Sequence, residues 1–374
     1  MTREVAEAIR DYMLTQYVQL GAPYPISQRS TQVVADAHSF ANLLMNGVDV
    51  GRTILGPSST QLIYMLAECY ARALSPGDEI IICETGHEAN VGPWDKLRDR
   101  GFTVKLWKVD QATYQCSLNS LENLFTNRTK LVAFPHVSNL LGEVVDVPAI
   151  TKLVHSAGAK VVVDGVAYAP HRAIDVKAWD VDWYVYSVYK VYGPHMGALY
   201  GKAEAFSELK GPNHFFISDS EPYKFELGGA NHEGCAGLLA LQSYLTFLAG
   251  TSGPCTRPVV EAAFSHMTEL ELPIQERLVN YLLQKPGVKI VGPAHAEASR
   301  ISTISFLHDT KSSAEIVAEV VKHDIGIRHG HMYAYRMCQS LGIDLTDGVV
   351  RVSAVHYNTV AEMDKLIYAL ESVL

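Results

Sequence analysis

A lysine that follows an apolar, strand-like run is a candidate catalytic residue. Lys190 comes after the apolar residues 183–186 and before a glycine-containing turn at residues 193–197. Burial among tyrosine and valine side chains disfavours an ammonium group, so the pKa of Lys190 should fall toward neutrality. A neutral amine can form a Schiff base with a carbonyl compound. The alternative is a lysine at a strand end whose charged group reaches solvent.

An aspartate ends another predicted strand upstream. Asp164 follows three β-branched residues, 161–163, which is typical of a buried parallel strand. In open α/β sheets, ligands bind at the carboxyl ends of the strands. A structural or metal-binding aspartate is the alternative interpretation. Together, Asp164 and Lys190 suit pyridoxal phosphate, because the lysine can hold the cofactor aldehyde and the aspartate can keep the pyridine nitrogen protonated.

The elements that must position these residues alternate along the chain. Helical patterns cover residues 2–20, 58–73, 94–100, 118–125 and 148–156, and strand-like runs cover residues 79–83, 103–109, 130–134, 160–163, 183–186 and 196–199. This alternation predicts an α/β fold with a mostly parallel central sheet covered by helices. Residues 250–254 interrupt the pattern, and strand-like runs at 288–291, 301–306 and 349–352 predict a smaller α+β domain. We assign residues 31–254 to a large cofactor-binding domain and residues 1–30 and 255–374 to a small domain.

The composition and charge of the chain disfavour several classes of protein. A chain of 374 residues with 48% hydrophobic content can bury a large core. A net charge of −9 with 31 Lys+Arg disfavours nucleic acid or an anionic membrane as the partner. The chain contains neither an apolar stretch of about 18 residues nor a cleavable apolar leader, so we expect a cytoplasmic protein. The six cysteines are scattered, which favours reduced thiols and predicts no metal site.

Short motifs occur in a fixed order over nearly the whole chain. They are residues 84–90, 93–94, 135–139, 141–142, 164–165, 187–201, 351–353 and 357–359. These motifs resemble the class V aminotransferase family of pyridoxal-phosphate enzymes, in particular its cysteine desulfurase and selenocysteine lyase branch. The resemblance implies fold type I, pyridoxal 5'-phosphate as cofactor, a small amino-acid substrate and a homodimer. It does not fix the reaction, because one fold hosts many chemistries.

The same resemblance implies which residues bind the cofactor phosphate. Ser59 and Thr60 begin a predicted helix, whose free N–H groups and positive end favour a phosphate. Ser and Thr are also common helix N-caps, which is the alternative role. Ser187 and Tyr189 match further phosphate-binding positions, and Tyr189 replaces the histidine that desulfurases usually have.

The resemblance also implies roles for three more residues. His87 matches the histidine that stacks on the pyridine ring and can move protons near the substrate Cα. Asn139 matches the position near the cofactor's ring hydroxyl and the substrate carboxylate. Arg351 matches the arginine that binds the substrate α-carboxylate, where a guanidinium offers two parallel donors.

The loop before the last predicted strand departs from the family pattern. Tyr333 stands where desulfurases have the cysteine that takes up sulfur as a persulfide, and Cys338 lies five residues further on. A phenol cannot accept a sulfur atom, so a persulfide relay is not expected. We predict that Tyr333 faces the β-substituent of the substrate and that His331, in the same loop, contacts the substrate. A tyrosine that only packs the loop is the alternative.

Two more departures concern cofactor contacts. Ala167 stands where desulfurases have a glutamine near the ring hydroxyl, and Gly229 stands where a threonine normally reaches the partner subunit's phosphate. Asn231 or His232 is then expected to cross the dimer interface in its place. The amino terminus is also short compared with the family.

A fungal subset of the family shares these departures. Residues 164–167, 170–172, 175–177, 180–182, 189–190, 193–195 and 351–359 are similar to the decarboxylative aldolases of ustiloxin biosynthesis. Those enzymes release carbon dioxide from aspartate and add the resulting enamine to an aldehyde.

Three functional hypotheses follow. The first is a lyase that acts at the β-position of a small L-amino acid through an aldimine, a quinonoid and an enamine. The second is a decarboxylative aldolase that uses L-aspartate and an aldehyde co-substrate and gives γ-hydroxy amino acids. The third, a non-catalytic cofactor-binding scaffold, is disfavoured because it would not need Lys190, Asp164, His87 and Arg351 together.

Overall fold

A computed structural model describes residues 1–219 and 221–374. The strands, in chain order, are β1 (Gly51–Gly56), β2 (Glu79–Cys83), β3 (Thr103–Trp107), β4 (Thr129–Pro135), β5 (Lys160–Asp164), β6 (Trp183–Ser187), β7 (Gly197–Lys202), β8 (Val288–Val291), β9 (Thr303–His308), β10 (Arg328–Gly330) and β11 (Val349–Ser353). The helices are α1 (Arg3–Thr15), α2 (Pro25–Leu44), α3 (Ser59–Ala73), α4 (Gly92–Asp95), α5 (Leu118–Glu122), α6 (Val147–Ser156), α7 (Val176–Trp179), α8 (Ala203–Ser207), α9 (His232–Leu248), α10 (Arg257–Leu283), α11 (Ser313–Val321), α12 (Tyr335–Ser340) and α13 (Val360–Glu371).

The larger sheet has the strand order β1-β7-β6-β5-β4-β2-β3. Strands β3, β2, β4, β5 and β6 run parallel to one another. Strand β7 runs antiparallel to both β6 and β1. The predicted α/β architecture with a mostly parallel sheet is confirmed. Because the carboxyl ends of parallel strands meet at one edge, the ends of β5 and β6 bring Asp164 and the turn with Lys190 to the same place.

The β-branched sequence of β5 explains its central position in this sheet. Val161, Val162 and Val163 are fully buried. Val161 and Val163 join the apolar core beneath α2, α6 and α9, whereas Val162 joins the core beneath α3. Successive strand residues point to opposite faces, so a run of three valines requires helices on both sides of the sheet.

The smaller sheet is antiparallel, with the strand order β10-β11-β9-β8. Its apolar face packs against α11, α13 and the carboxyl-terminal half of α10. The predicted smaller α+β unit is therefore confirmed. The amino-terminal half of α10 packs in the core of the large sheet, so this helix connects the two cores. The boundaries proposed at residues 30 and 254 stay a prediction.

The sequence pattern did not predict helix α2 or strands β1 and β10. The buried side of α2 includes two serines, and these interrupt the apolar periodicity that would indicate a helix. Their hydroxyls find partners in the preceding segment: Ser30 donates to the carbonyl of Gln16 at 2.8 Å and Ser27 to that of Gln19 at 2.7 Å. Helix α1 ends at Thr15, earlier than the predicted residue 20.

Within residues 1–219 and 221–374, no helix is long and apolar enough to cross a membrane. Over the same residues, His, Cys, Asp and Glu side chains form no group of three or more that could hold a metal ion.

Candidate active site

Asp164 and Lys190 meet at the carboxyl edge of the large sheet. Asp164 is the last residue of β5 and pairs with Val185 of β6. Lys190 lies on the short helical turn Val188–Val191, which continues directly from β6. Burial lowers the pKa of Lys190, and nearby Arg351 lowers it further, while Asp164 opposes the shift. The predicted effect of burial on this lysine is thus present in the folded chain.

The carboxylate of Asp164 is held in place from one side. Its Oδ1 accepts a hydrogen bond from the backbone N–H of Val166 at 2.9 Å. Burial raises the pKa of Asp164, whereas this hydrogen bond and the charge of Lys190 lower it. A buried carboxylate of this kind gains from a protonated ring nitrogen as partner, because a buried charge is costly unless it is paired.

Hydroxyl groups gather at the amino-terminal end of α3. Ser58 is the N-cap of this helix, and the side chain of Ser59 lies 2.9 Å from that of Ser187, oxygen to oxygen. Both serines are buried. Gly197 makes this approach possible, because a Cβ atom at its position would lie 2.5 Å from the backbone nitrogen of Ser59. The helix end and its hydroxyls therefore form a site suited to a phosphate.

Tyr189 lies at the more open side of the same cleft. The residue is exposed, and its ring stacks on that of His195 with the ring centres 4.6 Å apart. Thr60 and Tyr189 line one cleft with Ser59 and Ser187. The structure thus brings together all four residues that the sequence assigned to the phosphate.

His87 begins the turn that follows β2. Its Nδ1 accepts a hydrogen bond from the backbone N–H of Ala89 at 3.0 Å. Burial lowers the pKa of His87 to about 4, and the charges of Lys190 and Arg351 add to the shift. The ring is therefore neutral near pH 7, with Nε2 protonated, because Nδ1 acts as an acceptor.

The loop after β10 lies against this histidine. The rings of Tyr333 and His87 have their centres 5.1 Å apart at an angle of 32°. The backbone N–H of Glu88 donates to the carbonyl of Tyr333 at 2.9 Å, which joins the two loops. The side chain of Tyr333 remains 67% exposed, so the phenol stands at the rim of the cleft.

His331 holds the backbone of this loop. Its Nδ1 accepts from the backbone N–H of Tyr333 at 3.1 Å, and its ring contacts that of Tyr335 at 5.4 Å between centres. This geometry makes His331 a support for Tyr333. Its predicted contact with the substrate stays a prediction.

Arg351 reaches the cleft from the small sheet. It lies on β11, opposite Ser305 of β9, and its Nη1 donates to the backbone carbonyl of Asn139 at 3.2 Å. Burial lowers the pKa of Arg351, and the neighbouring Arg328 adds to the shift. A half-buried guanidinium with spare N–H groups is a strong binder of a carboxylate.

Asn139 connects Arg351 to the loop of Tyr333. Its side-chain Nδ2 donates to the carbonyl of Met332 at 2.7 Å. Its Oδ1 is buried and has no hydrogen-bond partner among the described residues. A buried acceptor without a partner is costly, so this oxygen is suited to accept a hydrogen bond from a bound molecule or from water.

Two neighbouring clefts share several lining residues. The first is lined by Ser59, Thr60, His87, Asn139, Asp164, Ser187, Tyr189 and Lys190, among others. The second also contacts Asn139, Tyr189 and Lys190, and extends to Arg351 and Tyr357 with a volume of about 340 Å³. The hydroxyls at a helix end, the buried carboxylate, the unpaired amide oxygen and the lysine of lowered pKa fit the groups of pyridoxal phosphate.

The structure adds residues that the sequence did not single out. Thr303 and His171 line the second cleft, and Tyr357 lies at its edge. Arg336 joins the two loops at the rim, with its Nη2 3.1 Å from Glu88 and 2.9 Å from Asp95. The sequence could have indicated Tyr357, because this residue belongs to a recognised motif. No local sequence feature distinguishes Thr303 or Arg336.

Comparison with known proteins shows the family to which the chain belongs. Over residues 1–366 the chain matches the profile of the family described as Aminotransferase class-V. It is 40% identical over 375 residues to the aminotransferase-like protein FGM3 of Gibberella zeae, which covers 98% of this chain and 89% of that protein. It is 31% identical over 350 residues to the cysteine desulfurase-like protein ustD of Aspergillus flavus, with coverage of 90% and 75%.

Solved structures lead to the same family. The crystal structure of the cysteine desulfurase CsdA of Escherichia coli superposes with a TM-score of 0.79 at 27% identity, covering 99% of this chain and 90% of that one. Some other relatives are longer proteins, and the chain spans 25% of one and 50% of another. The chain belongs to the class-V aminotransferase family, whose members use pyridoxal phosphate as cofactor.

Proposed function

We propose that this protein is a pyridoxal-phosphate-dependent lyase that acts at the β-position of a small L-amino acid without a persulfide cysteine. The observation that supports this most is the arrangement around one cleft. Lys190 and Arg351 line it together, and the loop beside His87 presents the phenol of Tyr333 instead of a thiol.

The residues of the first cleft would hold the cofactor. We assign the phosphate to Ser59, Thr60, Ser187 and Tyr189, the pyridine nitrogen to Asp164, the ring hydroxyl to Asn139 and the ring face to His87. When bound, pyridoxal phosphate supplies an electron sink for negative charge that develops at the substrate Cα.

Arg351 would orient the substrate. Its spare guanidinium donors bind the α-carboxylate in two parallel hydrogen bonds, which fixes the rotation of the amino acid in the cleft. The α-hydrogen of an amino acid held in this way points in one fixed direction. Orientation alone can supply a large part of a rate enhancement.

Lys190 would move the α-proton. Because burial lowers its pKa, a larger share of the side chain is the neutral amine near pH 7. A neutral amine next to the substrate Cα can accept that proton and return it later. His87 is neutral at the same pH and can donate a hydrogen bond through its Nε2 without adding a charge.

The positions of the thiols support a reaction without sulfur transfer. All six cysteines lie in the described part of the chain as free thiols, and none of them lines either cleft. Cys338 is fully buried beside Met337, and burial raises its pKa to about 11. A protonated, inaccessible thiol is a poor nucleophile, so it is not suited to a persulfide relay.

A decarboxylative aldolase that uses L-aspartate is the second candidate. The second cleft extends past Arg351 to Tyr357, which leaves room for a further small molecule beside the amino acid. The hydroxyl of Tyr333 at the rim could donate to the oxygen of an incoming aldehyde. In that case carbon dioxide leaves from the β-position, and the β-carbon then forms a bond to the aldehyde carbon.

Product analysis separates these activities. The holoenzyme is incubated with L-cysteine, L-cysteine sulfinate and L-aspartate, the last with and without an aliphatic aldehyde, and sulfide, sulfite, carbon dioxide, alanine and new amino acids are measured. The proposal expects at least one β-substituent to be released, and Lys190→Ala serves as the inactive control. Exclusive formation of a keto acid and an aminated cofactor would instead establish a transaminase.

A further inference from the structure

A chain of hydrogen bonds lies at the second cleft and includes two of its lining residues, Pro170 and Tyr192. The Nε2 of His356 lies 2.5 Å from the hydroxyl of Tyr244, and its Nδ1 lies 3.1 Å from the hydroxyl of Tyr192. The hydroxyl of Tyr192 in turn donates to the backbone carbonyl of Pro170 at 2.7 Å. Both Tyr192 and His356 are buried.

The direction of each hydrogen bond in this chain can be assigned. The hydroxyl of Tyr192 has one proton, and it donates that proton to the carbonyl of Pro170, so it accepts from the protonated Nδ1 of His356. The Nε2 of a neutral His356 then accepts from the hydroxyl of Tyr244. Burial lowers the pKa of His356 to about 4, which agrees with a neutral ring.

This chain joins the segments that bear the reacting groups. Tyr192 is two residues after Lys190 and closes its turn with a left-handed φ of 64°. Pro170 belongs to the segment that follows Asp164, and Tyr244 belongs to α9. His356 is five residues after Arg351, on the segment that leaves β11.

The turn that presents His356 is itself fixed. The side-chain oxygen of Asn358 accepts from the backbone N–H of Val355 at 3.0 Å, and the backbone N–H of Asn358 donates to the carbonyl of Val355 at 2.8 Å. The imidazole is therefore a rigid link between the small sheet and the large one. Arg351, on the strand before this turn, donates a hydrogen bond to the carbonyl of Asn139.

A histidine suits this position because it has a donor and an acceptor on opposite edges of a flat ring. A phenylalanine could fill the same space, but it would leave the hydroxyls of Tyr192 and Tyr244 without this partner. Tyr192 would keep its hydrogen bond to Pro170, whereas Tyr244 would lose its bond to His356, so the hydrogen-bonded link between these segments would be broken.

We propose that His356 is a positioning residue that fixes the separation between Lys190 and Arg351 and thereby sets the affinity for the α-carboxylate of the substrate. This inference deepens the proposed function, on which it rests for the role of Arg351. His356 itself need not touch the substrate, since it acts through the two segments that it links.

The test compares two amines that differ in the carboxylate. L-Alanine and ethylamine are titrated separately into the holoenzyme, and binding is followed by the change in visible absorbance of the cofactor. In His356→Phe the dissociation constant for L-alanine should rise at least about tenfold, roughly 1.4 kcal/mol, while that for ethylamine should stay within about twofold. His356→Gln retains a donor and an acceptor and should recover most of the affinity for L-alanine.

Two further variants separate positioning from general loss of stability. His155→Phe is the matched control, because His155 also forms a partly buried contact, with its Nε2 2.8 Å from Asp182, but lies near the opposite edge of the sheet. It should lower the melting temperature without changing the ratio of the two dissociation constants. Tyr244→Phe removes only one hydroxyl from the chain, and it should shift the ratio in the same direction as His356→Phe by a smaller factor.

Each outcome decides the inference. If both amines weaken equally in His356→Phe, or if neither weakens, His356 does not position the carboxylate-binding residue. If His356→Phe does not fold, an unchanged ratio in Tyr244→Phe leads to the same rejection. L-Alanine has no leaving group at its β-carbon, so a result that depends on His356 stands even if the product analysis shows no β-lyase activity.

Discussion

The rings of His87 and Tyr333 lie 5.1 Å apart, although His87 follows a strand of the large sheet and Tyr333 follows a strand of the small one. Met332 and Tyr333 both have left-handed backbone angles, with φ of 47° and 65°. Such angles cost on the order of 1–3 kcal/mol each in residues other than glycine. The hydrogen bonds from Glu88 and Asn139 to this loop offset that strain, so the phenol is held beside the histidine.

The hydroxyl of Tyr333 is expected to take part in turnover. Tyr333→Phe should lower the rate at least tenfold, about 1.4 kcal/mol of barrier, because no donor then faces the leaving group or an aldehyde oxygen. Cofactor binding, measured by absorbance, should be unchanged. Tyr335→Phe is the control, since Tyr335 is exposed in the same region and contacts His331. An unaltered rate in Tyr333→Phe would assign Tyr333 to packing.

Lys190 is expected to bind the cofactor covalently. Borohydride reduction of the holoenzyme followed by peptide mapping should place the modification on Lys190, because its amine has a lowered pKa and lines the cofactor cleft. Lys190→Ala should retain pyridoxal phosphate only non-covalently. Reduction at any other lysine would contradict the assignment of the site.

The burial of His87 predicts a dependence of stability on pH. The pKa of His87 is lowered to about 4 in the folded chain, whereas an unfolded histidine titrates near 6.5. As the pH falls through this window, the unfolded state gains a proton first, so stability is lost. His87→Gln should therefore reduce the loss of unfolding free energy between pH 7 and pH 4.5, by up to about 2.5 kcal/mol. Equal losses in urea denaturation of both proteins would contradict the shift.

A homodimer with an apolar interface above roughly 2,000 Å² is expected. Phe215 is 95% exposed, and Phe216 and Leu227 are also exposed, which suits contact with a second copy. The side chain of Asn231 caps α9 and also bonds to Glu233, so His232 is the better candidate to reach the partner's phosphate site. A monomer in light scattering that still holds the cofactor would contradict this prediction.

The sequence predicted the part of the site that depends on strand ends. Asp164 and Lys190 each follow a run of buried apolar residues, so their meeting at one edge of a parallel sheet follows from the topology of the sheet. The contact between Ser59 and Ser187 is different. These residues are 128 positions apart, and their 2.9 Å separation depends on how α3 packs against the sheet.

The contacts of the second cleft and of helix α2 also depend on tertiary packing, so the sequence did not predict them. The hydrogen bond from Arg351 to Asn139 spans 212 positions and depends on how the two sheets dock. His356 sits within a recognised motif, but only the folded chain shows that Tyr192 and Tyr244 are its partners. Helix α2 was missed because serines on its buried face satisfy carbonyls of a preceding segment, a tertiary role that periodicity does not report.

The central claim is β-position chemistry without a thiol, and turnover after removal of the thiols tests it most directly. The holoenzyme with Cys338→Ala is treated with iodoacetamide, and the products from L-cysteine, L-cysteine sulfinate and L-aspartate are compared with those of the untreated wild type. Because the six cysteines lie outside both clefts, the rate with the preferred substrate should stay within about twofold. A loss of activity of about a hundredfold, either on alkylation or already in untreated Cys338→Ala, would show that a thiol is required and contradict the account.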